Sequence, residues 1–248
     1  MPTEFETYPQ GQTLLIDADD TLWENNIYFE RAIAAFISYV NHHEFTREDV
    51  REKLNEVERE TVVAHGYGLV SFRKSLVTCF ERLSAGELTP EKHERIVSFV
   101  QSIADQEIQL LPGVAETLPD LASRHRLILM TKGNQAEQAD KLARSGVASY
   151  FSAVEIPKEK NAEAYRQVCA KYELAPHTAG AGTAEKCTIW MIGNSPRSDI
   201  NPALAAGLNA IYIHHPSTWV LEHDEINTPP GGQKLLELGE FAALARHF

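Results

Sequence analysis

The sequence predicts an α/β protein with a parallel sheet and an inserted all-helical domain. Short apolar segments of strand length alternate with segments of helical periodicity, a pattern typical of parallel sheets. After the first apolar segment, this alternation is interrupted by a long stretch of helical patterning. We therefore expect an α/β core formed by residues 1–24 and 110–248, and a helical domain formed by residues 25–109.

The first predicted strand ends in a group of carboxylates. Residues 13–16 form a short, partly β-branched apolar run, which predicts a buried strand. Asp17, Asp19 and Asp20 follow it directly. Because buried carboxylates are costly unless something neutralises them, we expect a compensating cation at this end of the strand.

The inserted stretch is predicted to contain about four helices. Apolar residues recur at helical spacing over residues 29–40. Thr46, with Asp49 three residues later, is typical of a capping box that opens a helix. Thr89 followed by Pro90 predicts a further helix start, because proline is favoured at the first helical position.

The second half of the chain returns to strands that alternate with helices. The further predicted strands are residues 127–130, 153–156, 187–193 and 210–213. Helices are predicted after each of the first three, and a short last helix over residues 235–244. The Gly-, Ala- and Thr-rich segment 177–185 is predicted to be a loop.

Composition and charge narrow the classes of function. The chain is 43% hydrophobic and carries a formal net charge of −12. An acidic surface repels nucleic acid and anionic membranes, and no apolar run is long enough to span a bilayer. Three widely separated cysteines and an N-terminus without a signal-peptide pattern predict a cytoplasmic protein.

Polar residues follow several of the predicted strands, where the active sites of open α/β sheets lie. Asp17 and Asp19 follow the first strand, Thr131 the second, and Asn194 and Asp199 the fourth. A carboxylate can attack phosphorus, and a second one can protonate the leaving oxygen and then activate water. Oxygen ligands of this kind suit Mg²⁺. These residue types together predict phosphoryl-group chemistry.

The ordered motifs resemble those of the haloacid dehalogenase superfamily. They are Leu14-Leu15-Ile16-Asp17-Ala18-Asp19-Asp20-Thr21, then Thr131, then a lysine before a helix, and Gly193-Asn194-Ser195-Pro196-Arg197-Ser198-Asp199. The resemblance implies a Rossmann-like core with a C1-type helical cap. It also implies that Asp17 is the nucleophile, that Asp19 is the general acid/base, and that Thr131 and Lys160 complete the catalytic set. Asp17, Asp19, Asn194 and Asp199 would hold Mg²⁺.

One position departs from the pattern of that superfamily, and the pattern leaves a second residue undecided. The first acid of the last motif is replaced by Asn194, whose amide oxygen can bind Mg²⁺ with less negative charge. The phosphate-binding lysine is either Lys158 or Lys160. We prefer Lys160, because it directly precedes the predicted helix that contains Tyr165.

The resemblance further implies a small phosphorylated metabolite as substrate. Its phosphate would contact Lys132 and Gly133 in addition to Thr131 and Lys160. The inserted domain would contribute specificity residues, for which Tyr67 and Arg73 are candidates. Closure of such a cap excludes water from the reaction.

Three other functions are alternatives to a magnesium-dependent phosphatase. A phosphomutase of the same superfamily shares the Asp-x-Asp motif, and a non-catalytic binding protein could retain the fold. By resemblance, dehalogenases lack an acid at the position of Asp19, which disfavours that activity. The sequence carries no signal for an oligomeric state.

Overall fold

A six-stranded sheet forms the centre of one of two units in the chain. The computed structural model describes residues 6–83, 87–177 and 187–248. One unit contains the described residues up to Glu24 together with Ile108–Phe248, and the other contains Asn25–Glu107. The sheet and the helices around it confirm the predicted α/β fold class.

All strand pairs in the sheet are parallel, in the order β3-β2-β1-β4-β5-β6. The strands are β1 (Thr13–Ile16), β2 (Arg126–Met130), β3 (Ala153–Glu155), β4 (Ile189–Gly193), β5 (Asn209–Ile213) and β6 (Leu235–Leu238). In β1, Ile16 pairs with Leu129 of β2 and with Ile192 of β4. This register brings the residues that follow β1, β2 and β4 together at the carboxyl ends of the strands.

Eight α-helices lie within the described ranges. They are α1 (Asn26–Val40), α2 (Arg47–His65), α3 (Leu69–Arg82), α4 (Pro90–Ala104), α5 (Val114–Arg124), α6 (Gln135–Arg144), α7 (Ala162–Lys171) and α8 (Asn201–Ala205). The first four belong to the helical unit and the last four to the sheet unit. A π-helical turn, Pro196–Ile200, precedes α8, so the helical conformation begins earlier than the sequence predicts.

The four inner strands are buried on both faces of the sheet, which explains why they are mostly apolar. Leu14 and Ile16 pack into a cluster on one face, and Leu15 packs into a cluster on the other. Such double burial is usual for parallel sheets covered by helices. Polar side chains can follow the strands at their carboxyl ends without entering these apolar clusters.

The helical unit has its own apolar core, formed by residues of α1 to α4. The start of α2 shows the predicted capping box: Thr46 accepts a hydrogen bond from the backbone N–H of Asp49, and the Asp49 carboxylate accepts from that of Thr46. Thr89 caps α4, with Pro90 in the first turn. These caps satisfy N–H groups that have no partner within the helix.

The prediction of a helix over residues 235–244 is wrong. Residues Leu235–Leu238 form β6, which pairs in parallel with β5, and Phe241–Arg246 form a 3₁₀ helix. Without β6, the backbone N–H and C=O groups along one side of β5 would lack ladder partners. Short apolar runs are compatible with either structure, and here the available sheet edge decides.

Most of the predicted loop 177–185 lies outside the described residues. Among the helices of the described ranges, none combines the length and the apolar character required to cross a membrane.

Candidate active site

Two carboxylates and one lysine form a buried cluster at the carboxyl end of the sheet. Asp17 follows β1, Asp199 lies in the helical turn after β4, and Lys160 precedes α7. The Lys160 Nζ donates hydrogen bonds to Oδ1 of Asp17 and to Oδ1 of Asp199, the latter over 2.6 Å. The three residues are between 0% and 6% exposed. One cation therefore faces two anions away from solvent.

The charges in this cluster are not balanced. Burial raises the pKa of Asp17 to about 7, against the opposing attraction of Lys160, and Asp199 raises it further. Burial also raises the pKa of Asp199, despite the ion pair with Lys160 and a hydrogen bond from the Ser195 backbone. For Lys160, burial alone would lower the pKa, but the two carboxylates outweigh it and raise the value. A further positive charge would stabilise the ionised form of both acids.

Asn194 and Thr21 complete the oxygen-rich side of the site. The Thr21 hydroxyl lies 3.2 Å from Asp17 Oδ2 and 3.1 Å from Asn194 Oδ1. A hydroxyl has one proton, so it can donate to only one of these two acceptors at a time. The Asn194 amide nitrogen donates to Thr218 Oγ1 over 3.1 Å, which leaves the amide oxygen facing the Thr21 hydroxyl. The donor set is made of oxygens and fits Mg²⁺.

Gly193, the last residue of β4, is required by the close approach of Asp199. A Cβ atom at this position would lie 2.2 Å from Asp199 Oδ2 and 2.4 Å from its Cγ. The same Oδ2 accepts a hydrogen bond from the Ser195 backbone N–H. The glycine therefore lets the turn after β4 fold the Asp199 carboxylate back onto the end of the strand.

The Asp19 side chain occupies a different environment from that of Asp17. Its carboxylate accepts hydrogen bonds from the Trp23 indole at 2.7 Å, from Gln138 Nε2 at 2.8 Å, and from Lys141 Nζ at 2.9 Å to each oxygen. Burial would raise the pKa of Asp19, but Lys141 and the hydrogen bonds outweigh burial and lower it. Lys141 and the hydrogen bonds thus stabilise the carboxylate form of Asp19.

Thr131, Lys132 and Gly133 form the loop after β2. Thr131 is buried, and its backbone N–H donates to the Glu155 carbonyl. The Lys132 ammonium forms an ion pair with Glu222 and donates to Ser198 Oγ over 2.7 Å. Lys132 therefore already has partners from the turn after β4 and from the segment after β5. Its contact with substrate stays a prediction.

Of the two candidate lysines, Lys160 is the one in contact with Asp17. Lys158 is exposed, whereas Lys160 is buried between the two carboxylates. Asn161 caps α7 through a hydrogen bond from the Ala164 backbone, which starts the helix directly after Lys160. The roles of these residues in catalysis remain predictions.

Tyr67 and Arg73 belong to the helical unit. Tyr67 lies in the turn between α2 and α3, and Arg73 lies on α3. Arg73, His65 and Lys74 line a groove of about 520 Å³ between these helices. Whether Tyr67 or Arg73 contacts a substrate stays a prediction.

Sequence reasoning did not assign roles to several residues that hold the site together. Thr21 is the last residue of the first motif, Asp17-Ala18-Asp19-Asp20-Thr21, and this position could have identified it as a site residue. Gln138 and Lys141 are three residues apart on α6 and so share a face, but nothing in the sequence indicates what that face contacts. Glu222 lies 90 residues from Lys132 in the chain and belongs to none of the motifs.

His215 lies next to the site, between two acidic side chains. Its Nδ1 is 3.9 Å from Asp20 Oδ1, and its Nε2 is 3.5 Å from Glu24 Oε2. One ligand atom from each of the three residues lies within 4.8 Å of the others. The two ring nitrogens face different carboxylates, and Nδ1 also accepts a hydrogen bond from the Ser217 backbone N–H.

A family model and a curated protein each match most of this chain. A family model described as haloacid dehalogenase-like hydrolase matches residues 12–207. The pyrimidine 5'-nucleotidase YjjG of Escherichia coli (strain K12) is 25% identical over 204 residues, which cover 82% of this chain and 86% of that protein.

Solved structures extend the similarity to both units of the chain. A haloacid dehalogenase-like family hydrolase from Xanthomonas campestris is similar with a TM-score of 0.73 and 24% identity, covering 95% of this chain and 93% of that one. The L-2-haloacid dehalogenase from Xanthobacter autotrophicus is similar with a TM-score of 0.62 and 14% identity, covering 95% and 97%. At these identities the similarity shows a shared fold.

Proposed function

Because the chain belongs to the haloacid dehalogenase-like hydrolases, we propose that it is a magnesium-dependent phosphatase. It hydrolyses a small phosphate monoester through an aspartyl-phosphate on Asp17. The observation that carries this proposal is the buried cluster in which Lys160 contacts both Asp17 and Asp199. Such a cluster, with the Asn194 oxygen beside it, combines a nucleophile, a cation and further oxygen ligands at the carboxyl end of the sheet.

Asp17 supplies the nucleophile. One carboxylate oxygen attacks phosphorus, an O–P bond forms, and the bond from phosphorus to the ester oxygen breaks. Lys160 stabilises the negative charge of the phosphoryl oxygens and of the Asp17 carboxylate. The Thr131 hydroxyl, buried after β2, is the proposed donor to a phosphoryl oxygen.

Asp19 moves the protons. In the first step its carboxyl group gives a proton to the leaving oxygen. In the second step its carboxylate takes a proton from water, whose oxygen attacks phosphorus and releases Asp17. This second carboxylate favours phosphate ester hydrolysis over dehalogenation, because a leaving halide requires no proton.

Magnesium would be held by Asp17, Asn194, Asp199 and the backbone carbonyl of Asp19. The unbalanced pair of buried acids and the single Thr21 proton shared by two acceptors support a cation there. When bound, Mg²⁺ supplies the positive charge that lets an anionic phosphate approach an anionic carboxylate.

The helical unit Asn25–Glu107 is proposed to act as a C1-type cap. It is inserted after β1, and its four helices form a separate core. The sheet unit supplies the chemistry, and the cap contributes specificity through Tyr67 and Arg73. The cytoplasmic location expected from the sequence stays a prediction.

A phosphate-release assay tests the function. p-Nitrophenyl phosphate and a panel of nucleoside monophosphates, sugar phosphates and phosphoglycolate are incubated with Mg²⁺ or with a chelator. The nucleotides come first, because the 25% identical relative is named a pyrimidine 5'-nucleotidase. We expect metal-dependent release that is lost in Asp17→Asn and kept in Asp120→Asn, an exposed control on α5.

Other outcomes distinguish the alternatives. Transfer of phosphate within a sugar phosphate, without steady release, would indicate a phosphomutase. Halide release from a 2-haloacid would indicate a dehalogenase. Mg²⁺ binding without turnover of any compound would indicate a non-catalytic binding protein. Full activity in Asp17→Asn would refute the assigned nucleophile.

A further inference from the structure

The Asp19 carboxylate is enclosed by donors from two segments of the chain. Trp23 follows it by four residues in the segment after β1, whereas Gln138 and Lys141 lie on α6. Oδ1 accepts from Trp23 and Lys141, and Oδ2 accepts from Gln138 and Lys141. Each oxygen therefore has two donors, which fixes both the position and the rotation of the carboxylate.

These contacts depend on how α6 starts. Asn134 caps the helix by accepting hydrogen bonds from the Ala136 and Glu137 backbones. The spacing of three residues then places Gln138 and Lys141 on one face, one above the other. Both side chains reach the same carboxylate from this face.

Gln138 also connects Asp19 with the loop after β2. Its Nε2 donates to the Lys132 carbonyl at 3.2 Å as well as to Asp19. Gly133 has a φ of +136°, and a Cβ there would lie 3.0 Å from Gln138 Nε2. The glycine leaves the space in which the Gln138 amide reaches Asp19.

We propose that Lys141 and Gln138 are positioning residues that orient the Asp19 carboxyl group for proton transfer. This proposal rests on the proposed function of Asp19. Lys141 contributes most, because it carries a charge and contacts both oxygens. Lys141 donates to both Asp19 oxygens, whereas Gln138 donates to Asp19 and to the Lys132 carbonyl. The contacts with Asp19 give both residues a route to the reaction through its carboxylate.

A double-mutant cycle separates positioning from general support of the fold. The turnover number with p-nitrophenyl phosphate and Mg²⁺ is measured for Lys141→Met in the wild-type and in the Asp19→Asn background. We expect a fall of about tenfold in the wild type, a part of the ~10²–10⁴ that general acid–base catalysis contributes. In Asp19→Asn we expect less than about a twofold change, because Lys141 then has no carboxylate to orient.

Two matched variants test whether the charge and the position of Lys141 matter. Lys141→Arg keeps the charge and is expected to recover most of the activity, with KM unchanged. Arg144→Met removes an exposed cation from the same helix, where it pairs with Asp140, and is expected to match the wild type. An equal fall in both backgrounds of the cycle, or no fall in either, would overturn the proposal. A rise in turnover would also overturn it.

A second readout does not require activity. The indole N–H of Trp23 donates to Asp19, so its ¹H–¹⁵N resonance reports the position of the carboxylate. The chain has three tryptophans, and the signal that moves in Asp19→Asn identifies Trp23. We expect Lys141→Met to move the same signal and Arg144→Met to leave it. If the protein releases no phosphate but this signal moves in Lys141→Met, the proposed function fails, whereas the positioning of Asp19 by Lys141 is supported. If the signal does not move, the positioning by Lys141 is refuted.

Discussion

A buried acid in the helical unit should make its stability depend on pH. Glu58, on α2, is 5% exposed, and its Oε2 has no hydrogen-bond partner among the described residues. Burial raises the pKa of Glu58 from 4.5 to about 7, with Arg51 opposing and Glu30 adding to the shift. The folded state therefore holds this proton more strongly than the unfolded state does.

The sign and the size of the effect follow from this shift. The contribution is fully present below about pH 4.5, and stability falls as the pH rises to about 7, where the folded state also loses the proton. A shift of about 2.5 units corresponds to roughly 3 kcal/mol at about 1.4 kcal/mol per unit. Glu58→Gln mimics the protonated acid, so it should be more stable than the wild type by up to about 3 kcal/mol at pH 8.

Hydrogen exchange of the α2 and α3 amides measures this free energy within the helical unit. Wild type and variant are compared at the same pH, from pH 5 to pH 8. Glu56→Gln, at an exposed position two residues earlier, should stay within about 0.5 kcal/mol of the wild type at every pH. A difference between Glu58→Gln and wild type that does not grow with pH would refute the reasoning.

Three further changes have defined outcomes. Lys160→Met leaves Asp17 and Asp199 buried without their cation, so we expect a loss of about 3–5 kcal/mol in unfolding free energy and a larger thermal stabilisation by Mg²⁺ than in the wild type. Gly193→Ala forces Asp199 away from the strand end, so urea unfolding should show a cost of about 1–3 kcal/mol, with loss of phosphate release. Burial raises the pKa of the Cys79 thiol to about 12. A thiol reagent should therefore modify Cys79 only after urea unfolds the protein, and mass spectrometry of the modified peptides measures this.

The sheet was predictable because its strands are short apolar runs that end in polar residues. The run before Asp17 and the run before Thr131 became β1 and β2 as expected. β6 was missed, because Leu235–Leu238 is equally compatible with a helix when the free edge of β5 is unknown. Local patterns determine which segments are apolar, whereas pairing depends on what edge remains open.

The cluster of Asp17, Lys160 and Asp199 was predictable in its members but not in its contacts. Motif order indicated each residue, and the parallel register brings the strand ends together. The sequence favoured Lys160 over Lys158, and the structure adds that Lys160 is the one in contact with Asp17 and Asp199. Their exposure separates them: Lys158 faces solvent and Lys160 is buried.

The sequence by itself determined the fold class, the block of helices after the first strand and the oxygen-rich residues at the strand ends, because these follow from periodicity and residue type along the chain. Only the tertiary structure decided what surrounds each carboxylate. Lys141 reaches Asp19 across 122 residues, and Glu222 reaches Lys132 across 90. The physical reason is that charge and burial depend on distances in space, and packing sets those distances between residues far apart in the chain.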